Sequence, residues 1–189
     1  VYTVTITDNN GAAVTQDVTV TIMGVNDTAT IVGGSTDAGG AVIEDAATPN
    51  LTDVGTITFQ DVDLIDTHTE IFALKSTSAT PDLPGYNEGA PPGTPTLLGT
   101  FSLAADVEDP SDTTNTGTVD WSFTVANADV QQLAQGQVVT QVYTVTVTDN
   151  NGAAVTQDVT VTITGVNDQS AITSLAGDHA GAVIEDAAT

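Results

Sequence analysis

Carboxylates are the one chemically capable group this sequence holds in quantity. Twenty-five Asp and Glu stand against a single basic side chain, Lys75, and the formal charge is −24. Their grouping says more than their number. Asp61 and Asp63 form an Asp-x-Asp pair with Asp66 just behind, Asp149 opens an Asp-Asn-Asn-Gly turn, and Glu44-Asp45 closes a short apolar run. The dipeptide Asn-Asp stands at Asn26-Asp27 and again at Asn167-Asp168. Carboxylate and amide oxygens collected in this way are hard ligands, and calcium takes about six to eight such oxygens.

Other chemistry finds little support. His68 and His179 are isolated, without a neighbouring nucleophile or the spacing of a metal motif, and both read as exposed loop histidines. A glycosidase-like carboxylate pair needs a sugar-binding cleft, whereas aromatic residues make up only 4% of the chain. No enzymatic activity is expected. A surface this acidic repels nucleic acids and anionic lipid, which are bound through Lys and Arg. No apolar run approaches the roughly 18 residues of a membrane span, and no leader sequence is read in this window. Cysteine is absent, so a secreted form of the chain would need another staple, such as a metal.

The elements that must position these carboxylates are written twice. Val1 to Asp27 and Val142 to Asp168 differ only at Ile6 against Val147 and Met23 against Thr164, and AVIEDAAT at Ala41 to Thr48 returns at Ala182 to Thr189 with the same offset of 141 residues. This is a tandem repeat cut out of phase. Residues 1–27 read as the closing hairpin of one copy, 28–168 as a complete domain, and 169–189 as the opening of the next. Within each hairpin copy, Tyr2, Val4 and Ile6 alternate with threonines. After the Asn-Gly turn, Val18, Val20 and Ile22 do the same, which is the period of half-buried antiparallel strands.

Further strands are expected at Ile31-Val32, Ala41 to Glu44, Gly55 to Gln60, Glu70 to Leu74 and Leu97 to Leu103, and around Val119, Trp121, Phe123 and Val125. Pro49 to Asp53 reads as a turn, and Ser76 to Pro95, with five of the seven prolines, as a surface insertion. Asn127 to Leu133 predicts a single helical turn capped by Asn127 and stopped by Gly136. About seven strands with almost no helix give an all-β, immunoglobulin-like antiparallel sandwich in tandem repeat. Trp121 and Tyr143 belong to its core, and the Tyr143 hydroxyl needs a partner.

Counting strands up and down such a sandwich brings Asp61, Asp63 and Asp149 to one pole beside Asp27, where their mutual repulsion invites a cation. At the other pole Glu44 comes within reach of Asp168, with Asp129 a weaker candidate that also suits the start of the helical turn. Asp45 and Asp66 are weaker candidates too, as is Glu185, the repeat counterpart of Glu44.

At these residues the chain resembles the VCBS-type repeats of giant bacterial RTX adhesins. The likeness is carried by TGTVDWSFTVANADVQQLAQGQ leading into YTVTVTDNNG and VTITGVND, and by IED followed by GTITFQDVD. The layout is similar to cadherin repeats as well. That resemblance implies a glutamate at Glu44, linkers at Asn26-Asp27 and Asn167-Asp168, a loop pair at Asp61 and Asp63, and a turn aspartate at Asp149, sharing calcium between neighbouring domains. Gly24 and Gly165 stand where the cadherin linker would carry a further aspartate, so fewer ions per joint are implied.

The reading is a calcium-stiffened extender repeat of a secreted or cell-surface bacterial adhesin. Its partners are neighbouring repeats of the same chain, with host or surface ligands engaged through other domains. Two alternatives remain open: a ligand-binding module acting through the 76–95 insertion, whose only aromatic is Tyr86, and a subunit of a self-assembling extracellular filament.

Overall fold

Alternating β-branched residues dominate this chain, and the fold is built from strands throughout. A computed structural model describes residues 1–89, 94–108 and 116–173. Eleven strands are present among them: β1 (Tyr2–Thr7), β2 (Ala13–Val18), β3 (Thr30–Ile31), β4 (Gly39–Ile43), β5 (Asn50–Gln60), β6 (His68–Thr80), β7 (Thr100–Leu103), β8 (Val107–Glu108), β9 (Thr116–Ala126), β10 (Val138–Asp149) and β11 (Ala154–Thr164). β1 and β2 form a separate hairpin. One sheet of the sandwich has the order β4-β11-β10-β6, and the other β3-β5-β9-β7 with β8 also paired to β9. All pairings are antiparallel except one: β4 runs parallel to β11, Gly39 opposite Thr160 and Ile43 opposite Thr164. The architecture is an immunoglobulin-like sandwich.

Period-two alternation sends one face of each sheet inward. On β9 this buries Val119, Trp121, Phe123 and Val125; on β10, Val139, Tyr143, Val145 and Val147; on β11, Val159, Val161 and Ile163. Trp121, Phe101 and Tyr143 lie in a stack across the core, with ring centroids 5.9 Å and 4.3 Å apart and planes within 16° and 12°. The Trp121 indole donates to the Asp37 carbonyl (2.7 Å). Tyr143 Oη donates to Gln141 Oε1 (3.2 Å), while Gln141 Nε2 donates to the Leu98 carbonyl (2.8 Å). Each buried polar group in this chain of contacts therefore has a partner, as burial requires. Two strand glycines make room for the large rings. A Cβ on Gly55 would stand 2.5 Å from the Trp121 ring, and one on Gly117 would stand 2.2 Å from Phe59.

Several expected boundaries move. Asn50 to Asp53 belongs to β5, paired with β9 from Asn50 opposite Ala126, so the turn is confined to residues before it. Ser76 to Thr80 extends β6 rather than opening the insertion, because β10 continues alongside to Val138 opposite Thr80. The helical turn is a short 3-10 segment at Asn127–Asp129, and Asn127 does not cap it. The Asn127 side chain is spent on Asp45, accepting from its N–H (2.8 Å) and donating to its Oδ1 (2.7 Å).

The duplicated hairpin shows what tertiary partners add. Tyr2 pairs with Val18 and Thr7 with Ala13, the same register as Tyr143 with Val159 and Thr148 with Ala154. The turn is also the same: Asp8 Oδ1 accepts from the N–H groups of Asn10 (2.9 Å) and Ala12 (2.8 Å), as Asp149 Oδ1 does from Asn151 (2.8 Å) and Ala153 (2.9 Å). Register and turn are thus local properties of the sequence. Strand length is not. β11 extends to Thr164 between Val138–Val142 of β10 on one side and β4 on the other, whereas β2 stops at Val18, short of the expected Val20 and Ile22, where its partner β1 ends at Tyr2 and, among the described residues, no equivalent of β4 lies beside it.

Candidate cation site at the sandwich poles

β5 ends at Gln60, β6 begins at His68 and β10 ends at Asp149, with His68 directly opposite Asp149 in the ladder. Three strand ends thus place their acidic residues at one pole. Asp61, Asp66 and Asp149 are all buried there, and carboxylate oxygens from the three lie within 4.8 Å of one another. That span is about twice a calcium–oxygen distance, so the three can sit on one ion's coordination sphere.

Neutral oxygens and amides surround the trio. Asn26 Nδ2 donates to Asp149 Oδ2 (3.1 Å), and Asn151 Nδ2 donates to both Asp66 Oδ2 (2.9 Å) and Asn26 Oδ1 (2.6 Å). The Asp149 carboxyl is held below its ordinary value of 3.8, first by the Asn26 amide and then by the backbone N–H groups of its own turn, against the opposing effect of burial. Asp63 stands apart from the trio. It accepts from the Asp27 N–H (2.6 Å), and its carbonyl accepts from the Asp66 N–H (3.0 Å). That turn swings Asp66 inward, so Asp66 takes the place spacing had given to Asp63. The linker Asn26-Asp27 is therefore tied to the carboxylates through Asn26 to Asp149 and through Asp27 to Asp63.

His68 is buried rather than exposed. Its Nε2 meets Asp61 Oδ2 (3.2 Å), its Nδ1 pairs with Glu108 Oε1, and its ring packs against Phe59 at 4.7 Å. Among the described residues Lys75 lies away from this pole, on the sheet, paired with Asp158. Asn151 and Glu108 are not identified from sequence, and His68 is read there only as an exposed loop histidine. Asn151 carries the clearest signal in retrospect, as a second amide in the Asp-Asn-Asn-Gly turn.

The opposite pole is built by the parallel pair. Glu44 directly follows β4, its N–H bonded to the Thr164 carbonyl (2.9 Å). Its side chain is 1% exposed; Oε2 accepts from the Val166 N–H (2.8 Å), and Oε1 is buried without a hydrogen-bond partner among the described residues. Burial pushes the Glu44 carboxyl above its usual range, opposed by the Val166 N–H and reinforced by the charges of Asp168 and Asp45. Asp45 sits at a left-handed φ of 59° and is held low by Asn127 and Gln131. Asn167 and Asp168 are exposed just beyond, with Asn167 Nδ2 donating to the Asp168 carbonyl (3.3 Å), as Asn26 does to Asp27 (3.0 Å). Asp129 is exposed and engages Gln132 through its carbonyl (3.0 Å), with no hydrogen bond to Glu44 or Asp45. Glu185 and His179 lie outside the described residues.

In the insertion, Tyr86 is turned inward, its hydroxyl bonded to Thr77 and its N–H to the Leu83 carbonyl (3.0 Å). It is half-buried and lines a surface cavity with Ala79, Asp82, Leu83 and Glu88.

No family model and no curated protein matches the chain. Among solved structures, it is similar to the CooA pilin subunit from enterotoxigenic Escherichia coli (12% identity, TM-score 0.42, covering 75% of this chain and 98% of that one). It is also similar to AggA, the major subunit of aggregative adherence fimbriae type I from Escherichia coli (11%, 0.41, 76% and 99%), and to a human ASH/PapD-like domain (8%, 0.39, 81% and 96%). At these scores the likenesses carry no argument about function, and the fold rests on the strand order itself. Among the described residues no helix is long and apolar enough to cross a membrane.

Proposed function

We propose that this chain is an extender repeat of a bacterial surface adhesin, stiffened by calcium bound at the joints between successive sandwiches. The observation that carries the reading is the buried trio Asp61, Asp66 and Asp149 beside the linker Asn26-Asp27. Three carboxylates drawn from three strand ends repel one another, and this chain has almost no basic side chain to offset them. A divalent cation relieves that repulsion while using the oxygens already gathered.

The repeat extends the argument to a whole joint. Asn167-Asp168 are the copies of Asn26-Asp27. The same dipeptide therefore meets two environments: the Glu44 pole of the sandwich it leaves, and the Asp61–Asp66–Asp149 pole of the sandwich it enters. With Glu44 offering a buried unpartnered oxygen on one side, a cation at the linker crosslinks consecutive domains. Calcium would neutralise the joint and fix its angle, and binding to the folded form alone would also raise its stability. Reach and rigidity are then the chain's contribution to adhesion.

The test is small-angle scattering with thermal melting on a two-repeat chain, in calcium and in excess chelator. The reading expects a longer, narrower particle and a higher melting point in calcium, both lost in Asp61→Ala with Asp63→Ala. A particle indifferent to calcium in both properties would leave the trio as a buried structural cluster satisfied by its own hydrogen bonds, and the reading would fail.

A further inference from the structure

The four-stranded sheet ends in β4 on one side and β6 on the other. An edge strand presents backbone N–H and C=O groups that no neighbouring strand uses, and a second chain can pair with them. At both edges a carboxylate stands in that place. Asp53 Oδ2 accepts from the Ala41 N–H on β4 (2.6 Å), and Glu88 Oε1 accepts from the Ala79 N–H on β6 (2.7 Å).

β6 is the longer edge, thirteen residues against five. Its first residue, His68, is engaged by Glu108 of β8. Midway, the register with β10 shifts: Ser76 lies opposite Val142 and Leu74 opposite Tyr143, which leaves Lys75 as the extra residue of a bulge. A bulge and a lysine both discourage pairing at an edge. Beyond them runs Ser76-Thr77-Ser78-Ala79-Thr80, uncharged and followed by Pro81. In a chain of charge −24, this is a length of edge on which two copies could meet without like charges placed opposite each other. Laid antiparallel on itself about Ser78, it sets Thr77 opposite Ala79. The Ala79 N–H that Glu88 now takes would then donate across the new ladder.

The segment that follows β6 folds back over this stretch. Leu83 and Leu98 are buried in the core, and Tyr86 packs against it. Gln137 Nε2 donates to the carbonyls of Pro81 (2.7 Å) and Asp82 (3.0 Å), which fixes the turn away from β6. The Tyr86 hydroxyl bonds to Thr77, and the Asn87 carbonyl accepts from the Thr96 N–H (2.7 Å). Glu88 is thereby held beside Ala79. A role as a stiff extender gives this arm nothing to do.

We infer that residues 82–88 are an edge guard, in which Glu88 and Tyr86 keep the 76–80 edge of β6 closed against antiparallel pairing with β6 of a second copy of this chain. Calcium plays no part in the contact, and the test is run in chelator.

Glu88→Ala removes the acceptor, whereas Glu88→Gln keeps an oxygen in its place. Both are compared with the parent 189-residue chain by light scattering over a concentration series and by amide hydrogen exchange. In dilute Glu88→Ala the Ala79 amide should exchange at least about 10-fold faster than in the parent, as the loss of a bond to a charged group implies. As concentration rises, the mean mass of Glu88→Ala should climb more steeply than the parent's, and the amides of residues 77–80 should regain protection. Glu88→Gln should follow the parent in each measurement. The guard is refuted if Glu88→Ala associates no more than the parent, or if it associates while residues 77–80 stay unprotected. It is refuted as well if Glu88→Gln associates as Glu88→Ala does, since charge alone would then be keeping the copies apart.

Discussion

Replacing Asp149 by Asn separates two jobs that one carboxylate holds. Asp149 Oδ1 accepts the Asn151 and Ala153 N–H groups that shape the turn, and an amide oxygen accepts them equally well. Its Oδ2 faces Asn26 Nδ2 and the carboxylates of Asp61 and Asp66. In Asp149→Asn that position becomes a donor, which loses the Asn26 contact, gains acceptors in its two acidic neighbours, and removes one negative charge from the trio. In chelator the variant should therefore melt at the parent's temperature or slightly above it.

In calcium the order reverses. At free calcium about 100 times the dissociation constant, binding stabilises the parent by about 2.7 kcal/mol, or about 10 °C for a domain of this size. If the lost charged ligand weakens binding about 100-fold, the same calcium gives the variant about 0.4 kcal/mol, which is between 1 and 2 °C. Scanning calorimetry in calcium and in chelator reads both arms. Asp149→Ala, which deletes the turn acceptor as well, should melt lower than the parent in both. An Asn variant that keeps the parent's full calcium response, or a parent that shows none, would refute the reasoning.

Glu44 should act with a pH sign of its own. Its carboxyl is raised in the fold, so the folded state holds that proton more tightly than the unfolded chain. Its contribution is complete below the ordinary value of 4.5 and is lost as pH rises through the raised one. In chelator, Glu44→Gln should flatten the fall in melting temperature across and just above that window; an unchanged profile would remove Glu44 as its source. Gly55→Ala drives a methyl into the Trp121 ring at 2.5 Å and should cost about 1–3 kcal/mol in denaturant unfolding, in line with overpacking. Lys75→Met breaks an ion pair whose side chains are 56% and 39% exposed, so the change should stay below about 1 kcal/mol despite the loss of the only basic residue.

Much of the frame was legible because the alternation is unbroken. Val119, Trp121, Phe123 and Val125 announce β9, and the hairpin's Asn-Gly turn fixes the register of β10 with β11 before any partner is present. The direction of β4 was not legible, since a five-residue strand carries no mark of whether its neighbour is parallel. Strand ends depend on neighbours in the same way, as the early stop of β2 at Val18 shows. At the site, spacing identified the acidic loop but not which of its members turns inward: the Asp66 N–H bond to the Asp63 carbonyl decides that. Burial of His68 was hidden because one acidic partner, Glu108, is distant in sequence and the other, Asp61, meets it only through the fold of the loop between β5 and β6.

The parallel pairing of β4 with β11 has a consequence for a chain under tension. The chain enters the sandwich through β3 beside Gln60 at the Asp61 pole, β4 then begins at Gly39 part-way along β11, and β11 leaves toward the C-terminus at the Glu44 pole. Pulling the two ends apart drags these neighbours past each other along their length. The five residue pairs from Gly39–Thr160 to Ile43–Thr164 are then loaded together in shear, whereas an antiparallel pair pulled from one end would peel open bond by bond. In that geometry resistance to extension is expected between β4 and β11, once the two-residue pairing of β3 with β5 has given way.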